Sequence, residues 1–183
     1  MNPPLILEDF LDDATRASIL RALENAPAAA APVYGSAGLG AAVQPRARST
    51  RMLAVDDELR TFIHTRLGDL RPQLERHFSV ALQRCEDPQF LRYDPGDFFV
   101  AHQDGNTSLI HDDSRHRRIS VIALLNSQYG GGSLVFHGSY PDWDARYTVP
   151  PVPGALIAFP SETTHEVTPV THGVRYSIVS WYR

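Results

Sequence analysis

His102-Gln103-Asp104 follows an apolar run, Phe98-Phe99-Val100-Ala101, and sets an imidazole and a carboxylate two residues apart. On a strand, residues two apart face the same side, so both groups would point at one spot. A second histidine from a distant strand would complete two nitrogens and one carboxylate on one face of a metal. That set leaves positions open for substrate and oxygen, the chemistry of a mononuclear non-haem iron(II) centre. The spacing is weak taken alone. With 8 His and 14 Asp among 183 residues, chance supplies about 0.6 such pairs. A second pair is present at His111-Asp112-Asp113. Either pair could equally sit in a surface loop or close a strand end with a hydrogen bond.

The elements that would position these groups divide the chain in two. The first third reads as helical. Asp12 and Asp13 offer an N-cap to a segment with Ile19, Leu20 and Leu23. A second helix is predicted after Asp56 and Asp57, with Leu59, Phe62, Ile63, Leu67, Leu70 and Leu74 on one face. Gly68 and Pro72 fall inside it, which predicts a kink or break. Between the helices, Ala26 to Gln44 is rich in Ala, Pro and Gly and has no period. It reads as a mobile surface loop or as a lid over a site.

From Pro88 onward, short runs rich in Val, Ile, Phe and Tyr alternate with turn residues. Predicted strands are Gln89–Tyr93, Phe98–Asp104, Arg118–Leu125, Gly132–His137, Arg146–Val149, Ala155–Phe159, His165–Pro169 and Val174–Tyr182. About eight short strands suit a double-layered jelly roll. The expected fold is therefore mainly β with flanking helices, a double-stranded β-helix core packed against the N-terminal helices. Such a barrel can hold a small ligand at its mouth.

Composition bounds the rest. The chain is long enough for one domain, expected to span residues 1–183, with supporting helices and a loop before about residue 80 and the core over 88–183. Apolar residues make up 43% and charged residues 21%, as in an ordinary globular protein, and the formal net charge of −4 gives no general pull toward nucleic acid or anionic membrane. No apolar stretch approaches the ~18 residues that would span a bilayer. The single cysteine, Cys85, fits a reducing compartment, and the acids Glu8 and Asp9 near the N-terminus are unlike a secretion signal, so a cytoplasmic location is expected. Trp143 and Trp181 read as core or rim aromatics. Arg46, Arg48 and Arg51, and separately Arg115, His116, Arg117 and Arg118, read as solvated basic faces, or as surfaces that steer an acidic substrate.

The order of the downstream motifs narrows the reading. Gly131-Gly132-Ser133-Leu134-Val135-Phe136 is followed by Pro153-Gly154-Ala155-Leu156-Ile157-Ala158-Phe159-Pro160. His165-Glu166-Val167-Thr168-Pro169-Val170 comes next, and then Gly173-Val174-Arg175-Tyr176-Ser177. From about Gln89 to Arg183 the chain resembles the prolyl-hydroxylase-like branch of the 2-oxoglutarate/Fe(II) dioxygenase superfamily. The resemblance implies His102, Asp104 and His165 as iron ligands. It implies Arg175 as the cation for the far carboxylate of 2-oxoglutarate, with Ser177 assisting and Tyr93 lining the same pocket. The upstream match of Tyr93 favours His102 over His111, which lies in a polar stretch. The residue types fit these roles. An arginine fork matches a carboxylate and stays charged on burial, and Arg175 and Ser177, two apart on a strand, face the same way. Gly131 and Gly132 suit a turn, a bulge or a close backbone approach.

What the resemblance implies is oxidative decarboxylation of 2-oxoglutarate with Fe(II) and O2, coupled to hydroxylation of a small-molecule or peptidyl substrate. It leaves room for ascorbate as a reductant. The alternative is a non-catalytic, cupin-like metal-binding module, against which Arg175 argues. The nucleic-acid-demethylating branch carries a further arginine where this chain has Trp181. A halogenase would lack the carboxylate of Asp104.

Overall fold

The computed structural model describes residues 3–34, 41–42, 46–108, 110–138 and 146–183. Its centre is the strand Arg175–Tyr182, whose residues alternate between two environments. Tyr176, Ile178 and Tyr182 face one core, which they share with Ile19, Leu23, Ile63, Leu67 and Leu74 of the helices. Val179 and the side chains of Arg175, Ser177 and Trp181 lie on the other face, as the strand period of two requires. The neighbouring strands Ile119–Leu124 and Leu156–Pro160 behave alike. Val121, Ala123, Leu156 and Ala158 join the helix-side core, and Ile122, Leu124, Ile157 and Phe159 join the second. A sheet buried on both faces needs near-continuous apolar strands, which is what these are.

That sheet has seven strands in the order Leu5–Leu7, Leu156–Pro160, Ile119–Leu124, Arg175–Tyr182, Gln89–Tyr93, Arg51–Leu53, Ala28–Ala30. A five-stranded sheet runs Arg146–Thr148, Leu134–His137, Thr164–Val167, Phe98–His102, Arg48–Ser49. All pairings are antiparallel. The sheets pack face to face, with Leu134 and Phe136 against Ile122 and Phe159, and Val167 and Phe99 against Leu91 and Tyr93.

The two helices cover the outer face of the larger sheet. Helix α1 (Asp13–Glu24) is capped by Asp12, whose carboxylate accepts the Thr15 N–H at 2.8 Å, and α2 (Asp57–Phe78) by Asp56, which accepts the Leu59 N–H at 2.8 Å. Of the predicted kink or break, the break does not occur: α2 runs unbroken through Gly68 and Pro72. Tertiary anchoring on both sides of the proline outweighs its local cost. Ile63, Leu67 and Leu74 are at most 2% exposed, each worth about 1.5–3 kcal/mol of burial, and the Tyr182 hydroxyl donates to the Leu67 carbonyl at 2.6 Å.

Several predicted boundaries move. The strand expected to reach Asp104 ends at His102. Part of the Ala26–Gln44 segment is strand rather than loop: Ala28–Ala30 extends the large sheet, and Val33–Tyr34 pairs with Ala41–Ala42. Residues 35–40, 43 and 44, on which the lid expectation also fell, lie outside the described residues, as does Trp143. Nor are the basic clusters wholly solvated: Arg48 is 8% and Arg117 6% exposed. No helix among the described residues is long and apolar enough to cross a membrane.

Candidate metal centre between the sheets

The Phe98–His102 and Thr164–Val167 strands are neighbours in the five-stranded sheet, and their register sets His102 directly opposite His165. Cross-strand partners share a face, so both rings project toward the larger sheet. Asp104 joins them from just beyond the strand end. Its N–H and that of Gly105 donate to the Ser161 carbonyl at 2.8 and 3.1 Å. The Asp104 carboxylate lies 3.4 Å from His102 Nε2 and 3.5 Å from His165 Nε2. The three ligand-type atoms all lie within 4.8 Å of one another, and no other such group of His, Cys, Asp or Glu occurs among the described residues. His111 stands exposed in the polar stretch before a 3-10 turn and takes no part.

Hydrogen bonds fix the form of each ligand. His102 Nδ1 lies 2.8 Å from the Val100 carbonyl and His165 Nδ1 2.9 Å from the Thr163 carbonyl. A carbonyl only accepts, so both protons sit on Nδ1 and both Nε2 lone pairs are presented to the centre. The rings are clamped by aromatic neighbours. His102 stacks on Phe99 with centroids 3.5 Å apart, and His165 packs edge-on against Phe159 at 4.7 Å. Asp104 is held from the opposite sheet: Ser120 Oγ donates to its Oδ2 at 2.7 Å and lies 3.0 Å from Ser161 Oγ, and Trp181 lines the same cavity.

The electrostatics favour a cation. Burial pushes the Asp104 carboxyl upward, but His165, His102 and Trp181 outweigh it and hold the group well below the usual carboxylate range. Burial, reinforced by the neighbouring His102, pulls His165 down to about 4. An imidazole kept neutral by burial beside an ionised carboxylate suits a divalent ion.

Arg175 occupies the same inter-sheet space and is 1% exposed. Its Nη1 donates to Ser177 Oγ at 2.9 Å, and its guanidinium carbon sits 4.9 Å from the ring centroid of Tyr93, its cross-strand partner. Its Nε and Nη2 are buried with no partner. Buried N–H groups of a cation are rarely left so, and the missing partner is an acceptor of negative charge. Gly132 makes room for the stem: a Cβ there would approach Arg175 Cδ to 3.1 Å, at a φ of +59°. The cavity in front of the three ligands is lined on its apolar side by Leu91, Phe99, Val167 and Val179.

Reading the sequence alone missed Ser120 and misjudged Arg48 and Arg117, while Trp181 is the buried aromatic expected. Ser120 is a lone hydroxyl in an otherwise apolar strand, a signal that was available. Trp181 carries the Arg117 guanidinium on its face at 3.6 Å, and Arg117 forks onto Glu86, 31 residues away in the chain, which no local pattern discloses.

A two-sheet β protein with a two-histidine, one-carboxylate cluster between its sheets defines a class that includes many oxygenases. Comparison with known proteins makes this specific. The profile of the 2OG-Fe(II) oxygenase superfamily matches residues 88–183, and the chain belongs to that superfamily, whose members use Fe(II) and 2-oxoglutarate. It is 34% identical over 98 residues to a PKHD-type hydroxylase of Paracoccus denitrificans, covering 51% of this chain and 41% of that one. It is 33% identical over 123 residues to one of Burkholderia ambifaria, covering 63% and 52%. The chain thus spans about half the length of the curated relatives it matches. Among solved structures, a prolyl-4-hydroxylase of Pseudomonas putida aligns with a TM-score of 0.72 at 23% identity, covering 100% of this chain and 93% of that one. A prolyl hydroxylase from Trichoplax adhaerens, in complex with a hypoxia inducible factor peptide fragment, aligns with a TM-score of 0.75 at 19% identity, covering 100% and 84%. These two likenesses are of fold.

Proposed function

We propose that this chain is an Fe(II)- and 2-oxoglutarate-dependent dioxygenase that hydroxylates an amino-acid or prolyl unit, and that its two packed sheets form a double-stranded β-helix. The observation that carries the reading is the pair of unpartnered Arg175 N–H groups, with the guanidinium against Tyr93, a wall of the cavity that also holds His102, Asp104 and His165. A metal-binding module without catalysis has no use for a buried, half-satisfied guanidinium.

In this reading His102 and His165 bind iron through Nε2 and Asp104 through a carboxylate oxygen. Ser120 holds the carboxylate in place. Arg175 anchors the far carboxylate of 2-oxoglutarate, Ser177 fixes the guanidinium, and Tyr93 walls the pocket. When bound, iron and 2-oxoglutarate would activate O2, one oxygen atom entering succinate as carbon dioxide leaves and the other entering a C–H bond of the substrate. Leu91, Val167 and Val179 keep water from the reacting atoms. The names of the relatives and of the solved neighbours support a hydroxylase, and the prolyl neighbours make a prolyl unit the first candidate to try.

The test is succinate release from 2-oxoglutarate by the iron-loaded protein, screened over amino acids and prolyl peptides. Mass spectrometry of the stimulating substrate should show one added oxygen. A protein that binds iron yet never turns over 2-oxoglutarate, with or without substrate, would be the metal-binding module instead.

A further inference from the structure

A second buried arginine faces the same cavity. Arg48 lines it together with His102, Asp104 and His165 and is 8% exposed. It comes from the two-residue strand Arg48–Ser49, paired to the strand that carries His102, with Arg48 directly opposite Phe99. Its guanidinium carbon lies 4.8 Å from the Phe99 centroid, and the same ring stacks on His102. Of its N–H groups, Nη1 donates to the Pro32 carbonyl at 3.2 Å, and Nε is buried with no partner. No carboxylate among the described residues pairs with it.

A buried guanidinium whose only partners among the described residues are a carbonyl and a ring face is an unbalanced charge. The proposed metal and cosubstrate do not balance it. The two charges of the iron and the one on Arg175 are already matched by Asp104 and the two carboxylates of 2-oxoglutarate. Arg48 is the charge left over, and it lines the cavity that holds the metal ligands.

We infer that Arg48 binds a carboxylate of the substrate, and that the substrate is therefore a small free carboxylic acid of the amino-acid type rather than an internal residue of a polypeptide. The main chain around an internal residue offers only amide carbonyls, and these leave the guanidinium charge unmatched. A free α-carboxylate matches it through the bidentate geometry that arginine favours, and it fixes the acid's side chain against the Phe99 wall beside His102. The inference rests on the dioxygenase reading above and narrows its substrate class.

The test uses the whole chain, loaded with manganese and saturated with 2-oxoglutarate under nitrogen. Calorimetry follows the binding of free L-amino acids, of their carboxamides and of end-blocked prolyl tripeptides, and the iron-loaded protein is assayed in parallel for succinate release. At least one free acid should bind and stimulate turnover, with its carboxamide roughly 10- to 100-fold weaker. Arg48→Gln should weaken the free acid by a similar factor while leaving 2-oxoglutarate binding intact, and Arg48→Lys should recover part of the loss. The wild-type comparison of acid with carboxamide stands even if a variant folds poorly. A blocked peptide or carboxamide that binds as well as the acid overturns the inference. So does 2-oxoglutarate binding with no free acid bound, or an Arg48→Gln variant that loses 2-oxoglutarate instead. If wild type binds no 2-oxoglutarate at all, the dioxygenase reading itself falls and this inference falls with it, a result distinct from the others.

Discussion

His102 and His165 are cross-strand partners with ring centroids 4.2 Å apart, and each donates its Nδ1 proton to the carbonyl two residues earlier in its own chain. The match is a consequence of strand geometry. A histidine at the same register on two antiparallel neighbours needs only the same local hydrogen bond to present the same nitrogen. The centre is therefore built before any metal arrives.

It follows that His102→Ala, Asp104→Ala and His165→Ala should each abolish iron-dependent turnover while the far-ultraviolet circular dichroism spectrum stays that of the parent. His111→Ala should retain activity. Activity lost in His111→Ala and kept in His102→Ala would assign the wrong pair. Because iron(II) binds such ligands more weakly than later first-row ions, excess Ni(II) or Co(II) should inhibit at equilibrium.

Asp104 depends on a residue of the opposite sheet. Ser120 Oγ donates to its Oδ2 at 2.7 Å, and partners of this kind typically contribute 10- to 100-fold to metal affinity. Ser120→Ala should therefore weaken Mn(II) binding by roughly 10-fold, read by calorimetry on the metal-free protein, with Ser120→Thr closer to wild type. Equal affinity in all three would show that the hydroxyl does not position the carboxylate.

The buried histidine also sets a pH dependence on the metal-free protein. Burial lowers His165 from 6.5 to about 4. Between these values the unfolded chain binds a proton that the folded chain does not, so stability is full above about 6.5 and is lost as pH falls toward 4. Asp104, also lowered, acts in the same direction at still lower pH. At about 1.4 kcal/mol per unit, the His165 contribution is on the order of 3 kcal/mol. Urea unfolding at about pH 7.5 and about pH 4.5 should show a smaller difference in His165→Gln than in wild type. The same difference in both would remove His165 from the account.

What the sequence disclosed follows from which interactions are local. Gln89–Tyr93 is legible to the residue because its apolar and aromatic residues are bounded by Pro88 and by Asp94-Pro95-Gly96. The long strand Arg175–Tyr182 is legible because its ends are marked by Gly173 and its apolar residues are many. Strands of two or three residues, such as Ala28–Ala30 and Arg48–Ser49, have no period to read, and they exist because longer strands offer them an edge. The triad residues were identifiable from motif order, yet Asp104 reaches the centre through a loop held by Ser161 rather than by strand alternation. Arg48 and Arg117 looked like solvated charge because burial is a property of the sheet pairing, and neither the carbonyl of Pro32 nor the carboxylate of Glu86 is near them in sequence. The unbroken α2 makes the same point: Pro72 is a local signal overruled by a core that the local window does not contain.

Arg175 separates an enzyme from a protein that merely binds metal. Its Nε and Nη2 have no partner among the described residues, and its position is fixed by Ser177 on one side and Tyr93 on the other. If these two N–H groups receive the far carboxylate of 2-oxoglutarate, Arg175→Ala leaves a buried anion unpaired in the complex, at a cost of about 3–5 kcal/mol. At about 1.4 kcal/mol per factor of ten, cosubstrate affinity should fall by roughly a hundred- to several-thousand-fold. Arg175→Lys keeps the charge but not the fork and should recover only part of that loss. Metal affinity should hardly change in either variant, because the guanidinium belongs to none of the three ligands grouped around the centre. Titration of 2-oxoglutarate into the manganese-loaded proteins reads all of this directly. Equal cosubstrate affinity in wild type and Arg175→Ala would show that the carboxylate is held elsewhere. Loss of metal binding in Arg175→Ala would show that the arginine supports the centre's structure rather than its cosubstrate.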